Sequence, residues 1–182
     1  MNTLLYKIKN ALRWGFIKGL LQTIFAKASV YAFGGVALVS ELQAVLFRDG
    51  VRYDLGIVSR RVVTNAFVAF VVDQLQTETS VFGDFKFHDS GVGTTAENAA
   101  DTAMETTDGE SRATGTQTES AANAYRSVGT ISYTTTKAIT EHGLFNDATT
   151  GTLMDRSVFS AINVVNGDSI QFTYTITFSA GG

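Results

Sequence analysis

Ser169-Ile170-Gln171-Phe172-Thr173-Tyr174-Thr175-Ile176-Thr177-Phe178 decides the fold. Its apolar side chains alternate with Gln171, Thr173, Thr175 and Thr177, a period of two that gives an extended chain one greasy face and one hydroxyl ladder. That pattern predicts a half-buried antiparallel strand. The three preceding residues, Asn166, Gly167 and Asp168, favour positive φ and predict a hairpin to the run before them. Moving back, Tyr125 to Tyr133, Ala138 to Phe145 and Thr152 to Val164 also read as strands, with Asn146 to Gly151 as a loop between the second and third of these. Four successive strands predict an antiparallel β-sandwich or jelly-roll-like core.

Upstream, Arg48-Asp49-Gly50 is turn chemistry, and Val51, Tyr53, Leu55 and Ile57 alternate over a short strand. Ser59 is the expected cap of a buried helix over about 59–76, in which Val62, Val63, Ala66, Phe67, Phe70, Val71 and Leu75 keep helical spacing. Phe82, Phe85 and Phe87 suggest another short strand. Residues 89–123 then turn rich in Thr, Ala, Gly, Glu and Ser, with too little apolar surface to offset their ordering entropy. A long polar excursion is expected there, ordered by a partner surface. At the other end, Leu4, Ile8, Leu12, Phe16, Leu20 and Ile24 recur every four residues, predicting helices. The expected class is thus mainly β with N-terminal helices (α+β): a basic, apolar helical arm over 1–50, then a β-rich core over 51–182.

Composition narrows the chemistry. The chain has 182 residues, no cysteine and no proline. Disulfides and thiolate metal sites are therefore excluded, and nothing interrupts long strands. The net charge of −3 is unevenly spread: five of fourteen basic residues precede the first acid, Glu41, leaving nine against all seventeen acids. An acidic body of this kind is a poor partner for nucleic acid. Ala28 to Leu46 is largely apolar, but Lys27 and Glu41 leave a clean run short of the ~20 residues a bilayer core requires. A membrane-associated protein anchored by residues 1–47 is kept as an alternative, a secretory signal is not expected, and Trp14, the only tryptophan, is too isolated to suggest a carbohydrate-binding module.

Catalytic and cofactor motifs are weak. His88 and His142 lack the additional ligands a zinc site takes, and Glu141 and His142, as strand neighbours, point to opposite faces and cannot simply share one site; a polar sheet rim is expected for them. Gly91-Val92-Gly93-Thr94-Thr95 superficially looks like a phosphate-cradling loop but lacks the terminal Lys and strand-to-helix frame. Asp101, Glu105, Asp108 and Glu110 depart from calcium-loop spacing and are expected to be solvated. No catalytic residue, cofactor or metal is expected.

A family resemblance adds direction. Leu55-Gly56-Ile57-Val58-Ser59-Arg60-Arg61-Val62-Val63-Thr64, Lys86-Phe87-His88, Gly91 to Thr95, Asp101-Thr102-Ala103, Thr140 to Phe145, Leu153 to Phe159 and Asn166 to Ser169 occur in an order that resembles small virion-associated proteins of tailed bacteriophages. The likeness spans about residues 55–182. It implies a non-enzymatic virion protein at the capsid surface or head–tail region, a capsid decoration or cement (minor head) protein that bridges neighbouring capsid subunits, or alternatively a tail, collar or fibre accessory protein. Its implied partners are the major capsid protein and further copies of itself, with a trimer as one expected form, and without specific nucleic acid or membrane. From the residues themselves, Lys7, Lys9, Arg13, Trp14, Phe16, Lys18 and Lys27 are the expected partner contacts, and Asn166, Gly167 and Asp168 the structural hairpin.

Overall fold

The computed structural model describes residues 36–60, 62–75 and 85–180. Among these the chain is mainly β, with one short helix: β1 (Val36–Arg48), β2 (Val51–Ser59), β3 (Val62–Val63), α1 (Asn65–Gln74), β4 (Phe87–Gly91), β5 (Ala113–Thr114), β6 (Thr116–Ala121), β7 (Ala124–Ser132), β8 (Lys137–Phe145), β9 (Leu153–Val164) and β10 (Ser169–Ala180). They form two five-stranded sheets, ordered β2-β1-β10-β7-β6 and β3-β9-β8-β4-β5. Side chains of the two sheets meet: the His142 ring of β8 lies 4.6 Å from Phe172 of β10, and Ser40 of β1 donates a 2.8 Å hydrogen bond to Asp155 of β9. The alternation in the last strand is realised, with Ile170, Phe172, Tyr174 and Ile176 buried and the intervening Gln171, Thr173, Thr175 and Thr177 half-exposed. Each such apolar side chain contributes about 1.5–3 kcal/mol when fully removed from water.

The four C-terminal strands lie within a residue or two of their predicted ranges, yet the expected hairpin is corrected. β9 and β10 belong to different sheets: β9 pairs with β3 and β8, whereas β10 pairs with β7 from Ser169↔Ser132 onward. Asn166-Gly167-Asp168 is therefore an arch between sheets. Gly167 has φ +92°, as the turn chemistry required, but its amide donates to Tyr133 O and the Tyr133 amide donates to Asp168 O, tying the turn to the end of β7. Asp168 completes the arch by accepting the Val165 amide at 2.9 Å and the Arg48 guanidinium at 2.5 Å. Local chemistry set the backbone of this turn; burial of the β10 apolar face set the destination of the chain.

The helical arm is also corrected over its last stretch, because residues 36–48 are strand. β1 pairs with β2 through a two-residue turn, Asp49 and Gly50, both at positive φ. Lying between β2 and β10, β1 is covered enough to bury Leu42, Ala44, Val45 and Leu46, so its apolar residues run together instead of alternating. The helix is shorter than expected. Thr64, not Ser59, is its cap: the Thr64 hydroxyl accepts the Phe67 amide and donates to Leu153 O. Nor is α1 wholly buried. Phe67 packs edge-on against Phe85, while Val68 and Val72 are exposed. Phe85 precedes β4 without belonging to it, and Phe82 lies outside the described residues. Within the expected excursion, β4 runs to Gly91, and residues 113–114 and 116–121 are the strands β5 and β6.

Replacing Gly167 with Val tests the arch. A Cβ there meets no atom within 4 Å, so the cost is conformational. Thermal or denaturant unfolding is expected to show a loss of about 1–2 kcal/mol, whereas Gly167→Asn, which tolerates positive φ, retains most of the stability.

Candidate functional site

The described residues hold two features with functional content: a buried polar network centred on β8, and an exposed apolar edge at β2. The network follows from pleating. Neighbours on a strand face opposite ways, and Glu141 and His142, both fully buried, address different surroundings.

Glu141 turns toward the polar segment between β4 and β5. Its Oε1 accepts the Gly93 amide at 3.0 Å and the Thr106 amide at 2.8 Å, and its Oε2 accepts the Glu105 amide at 3.1 Å and Arg156 Nε at 2.8 Å. Arg156, on β9, also reaches Asp101 at 3.0 Å, Glu105 at 3.2 Å and Thr95 O at 3.3 Å. One carboxylate and one guanidinium thus gather the first part of the segment, from residue 93 to residue 106. The glycine run that looked like a phosphate cradle does cradle an anion, but the anion is the chain's own Glu141: a Cβ on Gly93 would lie 2.5 Å from Glu141 Oε1. Further along, Glu110 takes Lys137 at 2.8 Å, and Arg112 takes Asp89 at 3.0 Å while stacking over the Phe145 ring at 3.5 Å. Where a partner surface was expected to order this segment, the structure shows contacts within the chain that hold it at these points. The expected solvated acids Asp101, Glu105 and Glu110 are ion-paired, and Asp108 accepts the Ser90 hydroxyl.

His142 turns the other way, between the sheets. His88 Nδ1 lies 2.9 Å from His142 Nε2, and His88 Nε2 lies 2.8 Å from Ser127 Oγ. A serine in line with two imidazoles is the geometry of an activated nucleophile, but Ser127, His88 and His142 are all fully buried, so no substrate reaches the hydroxyl in this structure. Neither Glu141 nor His142 lies on a polar sheet rim, since both are fully buried, which corrects that expectation. Burial pushes His88 down to about 3, and burial together with the neighbouring ring holds His142 well below the usual imidazole range. Close by in the same interior, burial pushes Asp155 up to about 7, despite hydroxyl donors from Ser40 and Ser157 at 2.8 Å. Among the described residues, no group of three or more His, Cys, Asp or Glu could hold a metal ion, and no helix is long and apolar enough to cross a membrane.

The second feature was visible as a pattern but misplaced. Val51, Tyr53, Leu55 and Ile57 of β2 alternate as expected, yet they are 40–50% exposed. Among the described residues β2 is an edge of its sheet, with no strand paired to its outer side. Arg52 and Asp54, between the apolar residues, pair at 3.1 Å and are both exposed.

The expected contact residues Lys7, Lys9, Arg13, Trp14, Phe16, Lys18 and Lys27 lie outside the described residues. Asn166, Gly167 and Asp168 form the arch and do not contribute to either feature. Sequence reading gives Arg156 a place in the Leu153 to Phe159 motif but no role, because its partners lie 15 to 61 positions away. No family model, curated protein or solved structure matches the chain.

Two outcomes follow from the network. Arg156→Met strands Glu141 as a buried charge and is expected to cost about 3–5 kcal/mol, with faster amide exchange at 93–106; Glu141→Gln added to it recovers part of the loss. For pH, both histidines are depressed, so the unfolded chain protonates them first and stability falls as pH drops below ~6.5. Asp155 is raised, so its share moves oppositely, falling as pH rises from ~4 to ~7. Counted over these three groups, two protons against one give about 1.4 kcal/mol per pH unit between pH ~4.5 and ~6.5, and Asp89, also raised by burial, opposes in the same sense as Asp155. Asp155→Asn removes its opposing proton and steepens that slope toward twofold in denaturant titrations.

Proposed function

We propose that the chain is a non-catalytic structural protein of a bacteriophage virion, a capsid decoration or cement protein that stabilises the shell by bridging neighbouring subunits. The two facing sheets are read as a β-sandwich that serves as a rigid body, with the N-terminal residues Lys7, Lys9, Arg13, Trp14, Phe16, Lys18 and Lys27 contacting the major capsid protein.

The observation that carries this reading is the exposed edge of β2. Monomeric proteins blunt long strand edges with charge, bulges, proline or covering elements; here there is no proline, the charges of Arg52 and Asp54 are paired with each other, and four apolar side chains between and beyond them stand half in water. Such an edge suits a protein that completes itself in an assembly. The interior adds support, because Glu141 and Arg156 clamp the polar segment from within the chain, which favours a preformed surface. The order of motifs over residues 55–182 supplies the virion context.

Quantitative mass spectrometry of purified particles of the virus that encodes the chain tests this. Near-stoichiometric copies per major capsid subunit are expected. A few or a dozen copies per particle would move the protein to the tail or collar, and absence from particles overturns the proposal.

A further inference from the structure

Among the described residues the two sheets have four edges, and three are poor docking sites. β3 and β5 are two residues each, and β6, Thr116-Gln117-Thr118-Glu119-Ser120-Ala121, carries no large apolar side chain. β2 is nine residues long, with Val51, Tyr53, Leu55 and Ile57 exposed. Its pairing with β1 is regular from Arg48↔Val51 through Val45↔Asp54; the register then slips past Leu55, where Gly56 takes φ +65°. An incoming strand therefore finds a straight edge only over about Val51 to Leu55.

What that edge can accept follows from its order of charges. Arg52 and Asp54 flank Tyr53 symmetrically. In an antiparallel pair of β2 with itself, centred on Tyr53, the two Tyr53 residues stand opposite each other, Val51 opposes Leu55 of the second copy, and Arg52 opposes Asp54 of the second copy. Both ion pairs are of favourable sign, and with the 3.1 Å pair within each chain they make a closed ring of four alternating charges. A shift by one or two residues along the strand loses this match. The edge is thus complementary to itself, as an isologous contact requires.

We propose that β2 is a dimerisation edge that pairs antiparallel with β2 of a second copy about a two-fold axis at Tyr53, with Arg52 and Asp54 exchanged between the chains. It rests on the reading of β2 as an assembly surface, but not on which particle is assembled. Two five-stranded sheets become one of ten strands, and because the slip at Leu55 and Gly56 ends the straight edge, the contact closes as a dimer without growing into a fibre.

Sedimentation equilibrium of the full chain, with charge-swapped variants, tests the pairing. The wild type is expected to dimerise reversibly. Arg52→Asp places like charges opposite each other, as does Asp54→Arg, and each is expected to weaken dimerisation about tenfold or more. Mixing the two variants restores it, since the paired acids on the edge of one chain then face the paired arginines on the edge of the other. The chain has no cysteine, so Tyr53→Cys gives a second reading: directly opposed antiparallel residues have Cα atoms about 4.5–5.5 Å apart, within disulfide reach. Mild oxidation is expected to link Tyr53→Cys chains into dimers, but not Val165→Cys chains, whose cysteine is exposed in the arch. A monomeric wild type, single variants that dimerise normally, a mixture that fails to recover, or equal cross-linking at both positions overturns the proposal. A monomer in solution that is abundant in particles would refute this pairing alone; a dimer absent from particles would refute only the virion assignment.

Discussion

The buried pair of Glu141 and Arg156 is the constraint on which the rest of the structure depends. Two opposite charges removed from water are costly unless every remaining lone pair and proton is satisfied, and here the satisfying groups come from the weakest part of the chain. Amides of Gly93, Glu105 and Thr106 complete the carboxylate, while Asp101, Glu105 and Thr95 O complete the guanidinium. The ion pair needs the segment, and the segment, almost without large apolar side chains, needs the ion pair. Removing either one leaves the other unsatisfied, so a stretch that composition alone would leave disordered is tied to the sheet.

The pleat of β8 carries this bond into the interior. Glu141 faces the polar segment, and the next residue, His142, faces Phe172 of the opposite sheet at 4.6 Å. A one-residue slip of β8 would put the carboxylate among the inter-sheet aromatics and the imidazole against the loop amides, so polar and apolar demands select the same register. The neutral His88–His142 pair and the proton-holding Asp155 extend that logic. Burial disfavours the charged form of each, so the seam between the sheets responds to pH as an all-apolar seam does not: the histidines weaken it in acid, and Asp155 weakens it as pH rises toward 7.

Legibility in the sequence followed the physics. Strands with one wet face and one dry face announce themselves by a period of two, and β7 to β10 were read nearly to the residue. β1 hides because it is covered and its buried residues run together; such a run reads equally well as helix. β6 hides for the reverse reason, being a polar edge held by backbone bonds to β7 that no side-chain pattern records. Asn166-Gly167-Asp168 shows a third limit: a turn signal specifies positive φ, not whether the following strand returns to the same sheet. The Glu141 to Arg156 cluster shows a fourth, since the meaning of a glycine-rich, acid-rich segment depends on a guanidinium some fifty residues away.

Because the interior is self-sufficient, the case for assembly shifts from the polar segment to β2. A disordered middle would have to be ordered on docking, at an entropy cost that weakens binding; a segment already clamped adds no such cost. A five-residue edge with a handful of half-exposed apolar side chains buries far less than the ~1,200–2,000 Å² of stable complexes. Contacts of this size hold only weakly when made singly, but they become firm when each body is engaged at several points at once, because every later contact forms at high effective concentration. On the proposed reading, a body bearing a small, self-complementary edge is better matched to a repetitive surface, where each weak contact is repeated, than to a single contact.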